Sequence, residues 1–282
     1  MLDQAARPVR PVLAVVEGSA TSDGAGVRMT RLLGTPQAQM FDPFLMLDFF
    51  DTAETADYMA GFPDHPHRGF ETVTYMLEGK MRHADNKGHS GVIETGGVQW
   101  MRAGAGLVHS EMPEQTEGRM SGFQLWVNLP AREKMSAPAY QEFAPERIPV
   151  EAREGGAQVK VIAGRTGAGI EGPVKNAEVD PFYFDVTLAA GGRFEEALPA
   201  DHHGMVGVVE GAAAVGGRPV NAVSVAFLGE GERVQVASAS GARFLLIAGK
   251  PIGEPVAWAG PFVMNTREEV MQAFEDFQAG RF

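Results

Sequence analysis

The sequence predicts an all-β protein of two β-barrel domains with one short helix at the C-terminus. Three observations predict it. Short runs rich in β-branched and aromatic residues recur along the chain, among them Phe70 to Leu77, Gly122 to Leu129, Gln158 to Ala163, Phe182 to Leu188, Met205 to Val209, Ala222 to Leu228 and Ala242 to Ala248. Several alternate apolar and polar residues, the mark of half-buried strands, and Gly and Pro break the chain between them. Helical periodicity is scarce until Arg267 to about Gln278, where Thr266 and Glu269 form a Thr-x-x-Glu capping box and Val270, Phe274 and Phe277 give an apolar stripe.

A chain of 282 residues is long enough for two domains. The stretch from Ala131 to Gly156 is polar, Pro-containing and weakly periodic, so it reads as the connection, with domains at 1–135 and 136–282. The two halves echo each other. FPDHPHRGFETVTYMLEG and EEALPADHHGMVGVVEG are each a turn, an apolar strand and a closing Glu-Gly. Aligned on that Glu-Gly, His65 falls opposite Ala197, His67 opposite Pro199 and Glu71 opposite His203. The second half is therefore expected to repeat the first without its metal ligands.

Composition removes several function classes. A net charge of −12 without a Lys/Arg run argues against direct nucleic-acid binding. The absence of cysteine excludes disulfides, zinc–thiolate sites and cysteine-ligated iron–sulfur clusters, so a metal must be held by imidazole and oxygen. The first twenty residues lack the apolar core of a signal peptide, and no apolar stretch is long enough to span a membrane. A cytoplasmic protein is the expectation.

The histidines carry the chemistry. In His65-Pro66-His67, residues i and i+2 of an extended chain project to one face, and Pro66 biases His65 away from helical geometry. About forty residues later, Gly104-Ala105-Gly106 permits a tight turn before a second i, i+2 pair, His109 and Glu111. A lone histidine says little; two such pairs in this order point to one metal ion. Spacing leaves the fourth ligand open between Glu71 and Glu111. Three neutral imidazoles and a carboxylate suit Fe(II), Mn, Ni, Cu or Zn, and two open cis positions favour iron. The carboxylate not used is a candidate to orient an imidazole from behind. His83 and His89, in a polar hairpin, are expected to be solvated. His202 and His203 are expected in a turn, with a pocket in the second domain as the alternative.

The segments DHPHRGFETVTYMLEG, GGVQWMRAGAGLVHSEMP, SGFQLWVNLP and GPFVMNTREE resemble the pirin family, over a span from about Arg28 to the C-terminus. The resemblance implies a bicupin: two double-stranded β-helix (jelly-roll) barrels, the first binding iron through His65, His67, His109 and Glu111, the second usually without metal. It thus assigns the fourth ligand to Glu111 and leaves Glu71 behind the site. It implies either a quercetin (flavonol) 2,3-dioxygenase or an iron- and redox-dependent transcriptional co-regulator that binds a protein partner. For the enzyme, the substrates are O2 and a small aromatic, Glu111 is a candidate base as well as a ligand, and Phe50, Phe70, Trp100 and Phe123 are candidates to line the pocket. An isomerase or hydrolase using zinc or manganese is a further reading.

Overall fold

A computed structural model describes residues 8–282. The N-terminal reading falls in part on residues 1–7, outside the described residues. The predicted strand runs all form, and the expected helix is Arg267–Gln278. Thr266 accepts the backbone N–H of Glu269, while the Glu269 carboxylate accepts the Thr266 N–H, so the capping box is complete. Val270 and Ala273 are the helix's buried residues. Phe274 and Phe277 are only partly covered, their rings turned toward Phe262. No helix among the described residues is long and apolar enough to cross a membrane.

The chain folds as two units that interleave in sequence. Among the described residues, one comprises 19–34, 42–145 and 252–282, the other 8–18, 35–41 and 146–251. The linear cut at residue 135 therefore differs from the structure. Strand Val12–Glu17 pairs with Ser224–Leu228 and so belongs with the later barrel. The stretch read as a connection is itself structured. Ala139–Phe143 extends the first unit's sheet beside Val98–Arg102, and Val150–Arg153 pairs with Ala157–Ala163 in the other. These are half-exposed edge strands, whose polar sequence carries little periodic signal.

The first unit has a seven-stranded sheet in the order Ala139–Phe143, Val98–Arg102, Phe70–Glu78, Met120–Asn128, Phe44–Thr52, Val27–Leu33, Ser19–Asp23. Its second sheet has four strands, Phe62–His67, Leu107–Pro113, Met81–Asp85 and Ser90–Ile93. The other unit repeats this pairing scheme: Arg193–Ala197 pairs with Arg233–Ala237 as Phe62–His67 pairs with Leu107–Pro113. Its interior is a continuous apolar cluster that includes Val159, Phe184, Phe194, Val208, Val234 and Phe244.

Candidate metal centre

The His65 and His67 strand lies antiparallel to the His109 strand, with His109 directly opposite His65 and Leu107 opposite His67. The strand period of two then turns all three imidazoles the same way. Their ring centroids are 4.4 to 5.0 Å apart. One potential ligand atom from each lies within 4.8 Å of the others. The loops that set this register depend on glycine. Gly104 and Gly106 have φ of +50° and +124°, and the Gly69 N–H donates to the Gly104 carbonyl over 2.8 Å. A Cβ on Gly69 would collide with the Val263 carbonyl, and one on Gly104 with the Ser136 carbonyl. The Lys134 ammonium, buried and pushed down to about 8 by desolvation, donates to the carbonyls of Gly69 and Val263 and to Asn128.

The donor atoms fit a cation. His65 Nδ1 donates to the Pro63 carbonyl over 2.8 Å, leaving the Nε2 lone pair for an ion. His67 and His109 are buried, and His67 Nδ1 and both ring nitrogens of His109 have no hydrogen-bond partner. An unpaired buried nitrogen costs about 1–3 kcal/mol, which a bound cation would offset. Burial first, then the neighbouring imidazoles, hold the pKa of His67 and of His109 well below the ordinary value. Both are therefore neutral at pH 7, the form that ligates metal.

Glu111 lies two residues beyond His109 and lines the same cavity, but its carboxylate stands outside the close three-histidine group. A strand irregularity separates the two residues. Thr74 Oγ1 lies 2.8 Å from Glu111 Oε1 and Gln124 Nε2 donates to Oε2 over 3.3 Å. Glu71 accepts instead from the Trp100 indole and from Arg102, at 2.9 and 2.8 Å, and lies off the cavity wall.

The cavity in this unit has a volume of about 720 Å³. Of the four aromatics expected to line it, Phe50 does so. Phe70 packs against the His67 ring from behind, Phe123 stacks on Phe49, and Trp100 is tied to Glu71. Trp126, Trp258 and Phe62 supply aromatic wall in their place. Trp126 was legible, since it alternates with Gln124 on one strand face; Trp258 reaches the site from residues far away in sequence. The wall also holds Arg31 and Asp48, joined by two hydrogen bonds of 2.8 and 2.7 Å. Burial raises the Asp48 pKa while its bonds to Arg31 oppose that shift.

The remaining histidines depart in part from expectation. His83 is buried, not solvated: its Nε2 lies 2.7 Å from Glu142, whose chain segment covers the hairpin. His89 is exposed, as expected. His202 is buried beneath a turn, its ring nitrogens 2.9 Å from the Asp180 carbonyl and 3.0 Å from Asp201, while His203 stacks on Phe41.

The Pirin family model matches residues 26–127, and the model of the pirin C-terminal cupin domain matches 183–282. A pirin-like protein of Caulobacter vibrioides is 66% identical over 98% of this chain and 100% of its own length. A Pseudomonas aeruginosa protein provisionally named quercetin 2,3-dioxygenase is 52% identical over 96% of this chain and 97% of its own. The crystal structure of a quercetin 2,3-dioxygenase from Acinetobacter baumannii superposes with a TM-score of 0.90 at 34% identity, covering 98% of this chain and 99% of that one. At 18% identity, a bacterial pirin from Escherichia coli in complex with nickel(II) shares the fold, with a TM-score of 0.67 over 84% of this chain and 98% of its own.

Proposed function

The chain belongs to the pirin family, and from that premise we propose that it is a metal-dependent dioxygenase that opens the central ring of a flavonol such as quercetin with O2 and releases carbon monoxide. The observation that carries this reading is the convergence of three imidazoles, two of them on the wall of a large, mainly apolar cavity. In this reading His65, His67, His109 and Glu111 hold Fe(II), the fourth ligand resting on the family motif and on the position of Glu111 beside the histidines. Bound there, Fe(II) supplies Lewis acidity toward the substrate hydroxyl and a redox centre for O2.

The chain's own side chains do the rest. Thr74 and Gln124 aim the Glu111 carboxylate. That carboxylate is the base placed to take the proton from the hydroxyl beside the ring carbonyl. Trp126, Phe50, Met46 and Met29 give the flat rings an apolar bed and exclude water from the reacting carbons. The His65 bond to Pro63 fixes that ring's tautomer, so it presents a lone pair rather than a proton.

The test uses protein loaded anaerobically with Fe(II), mixed with quercetin and then exposed to O2. The expected result is loss of the flavonol absorbance with carbon monoxide in the headspace. Unchanged absorbance in protein with confirmed metal content overturns the reading.

A further inference from the structure

The seven-stranded sheet carries a polar row across its inner wall. Register aligns Thr74 with Gln124, Gln124 with Asp48, and Asp48 with Arg31, on four adjacent strands. All four residues line the cavity with Glu111. Hydrogen bonds join them in two groups. Thr74 and Gln124 hold Glu111 at the metal end, and at the far end Arg31 Nε and Nη2 donate to the two oxygens of Asp48. The row spans three inter-strand spacings, about 14 Å, comparable with the long axis of a three-ring flavonol. Apolar side chains flank it. Trp126 pairs with Met46 on one side, and Phe50 with Met29 forms the other.

The fold does not need this row. In the other unit, the matching inner wall is built from Val159, Val161, Phe184, Val186, Val206, Val208, Phe244 and Leu246, all within the apolar core. A buried ion pair is a poor source of stability, because removing both charges from water offsets their attraction. Asp48 is nonetheless only 2% exposed. Asp185 is equally buried in a like pair with Arg243 in the other unit, so what sets Asp48 apart is that it and Arg31 line the cavity. Each Asp48 oxygen takes one bond from Arg31 and keeps a further acceptor position, and Arg31 Nη1 is not used in that pair. The pair thus presents an acceptor and a donor side by side. That pattern suits two neighbouring hydroxyls, one donating to the carboxylate while the other accepts from the guanidinium.

We propose that Arg31 and Asp48 form a recognition subsite for vicinal hydroxyls on the substrate ring remote from the metal, so that the enzyme prefers catechol-bearing flavonols. This rests on the flavonol reading above. Since Trp126 and Trp258 line the cavity, anaerobic titration of the Fe(II)-loaded protein can be followed by tryptophan fluorescence. The ligands are quercetin and its analogue lacking both hydroxyls of the pendant ring. The expected result is about tenfold tighter binding of quercetin, the size of one or two net hydrogen bonds. In Arg31→Met/Asp48→Leu, which leaves no buried lone charge and frees only the exposed Asp23 from its 3.7 Å contact with Arg31, the two affinities converge to within about twofold, and the analogue binds as in the parent protein. Asp48→Asn, nearly isosteric, lowers the preference by about threefold and serves if the double variant does not fold. Equal binding of both ligands by the parent protein overturns the subsite and leaves the flavonol reading standing. So does a folded double variant that keeps the tenfold preference. Binding of neither ligand overturns both.

Discussion

The two units use one pairing scheme for opposite ends. In the first, the strand pair Phe62–His67 and Leu107–Pro113 brings His65, His67 and His109 together and lines a cavity with His65, His67 and Glu111. In the second, Arg193–Ala197 and Arg233–Ala237 turn Phe194, Val234 and Val236 into a packed core. Glu196, also buried there, is bound to Arg153 and to the backbone N–H groups of Gly167 and Ala197. The same strand pairing therefore forms without a cluster of imidazoles at its centre. What the first unit adds is a cluster of buried imidazoles with unpaired ring nitrogens beside unfilled volume, both costly to stability, and these mark where chemistry is placed.

The sharpest way to break this comparison is to remove a ligand from one unit and a ring from the other. His109→Ala is expected to take metal content from one ion per chain to near none by elemental analysis, while His203→Ala leaves it unchanged. Retained metal in His109→Ala would refute the assignment. Next in size, Phe244→Ala opens a hole in the second core and is expected to cost about 3–5 kcal/mol in denaturant unfolding. The folded protein should keep its metal; a loss below about 1 kcal/mol would mean that this core is loosely packed. Thr74→Val removes the hydroxyl beside Glu111 and is expected to weaken metal binding about 10–100-fold by calorimetry. Unaltered affinity would separate Glu111 from the ion.

The smallest effect is a pH slope in metal-free protein. His67 and His109 have lowered pKa values when folded, so below the ordinary imidazole value of about 6.5 the unfolded chain takes up protons that the folded chain refuses. Stability is fully present above that pH and declines as pH falls, until the lowered folded values are reached. His109→Leu should flatten the decline in thermal melts between pH 7 and 5. An unchanged slope would place its origin elsewhere.

Much of this was legible in the chain. Strand runs, the capped helix and the repeated turn–strand–Glu-Gly pattern follow from local periodicity and capping chemistry. The three histidines were legible because i, i+2 spacing alone turns each pair to one face. His83 was misread because its burial comes from Glu142, fifty-nine residues away. Three of the four proposed pocket aromatics failed for a related reason. Trp100 and Phe123 pair with Val73 and Tyr75, on the strand side opposite Thr74, while Phe70 shares the Thr74 side but is covered by His67 and Trp126.

By itself the sequence determined which residues are strand, which end is helix, and which side chains are chemically able to hold a cation. It did so because those properties depend on neighbours one to four positions apart. The tertiary structure alone decided that 8–18 and 252–282 join units remote from them in sequence, and that Thr74 and Gln124 hold Glu111. It also set Arg31 and Asp48 at the far end of the same cavity wall. These are matters of strand pairing and register, in which one residue of slip would turn each of these side chains to the opposite face.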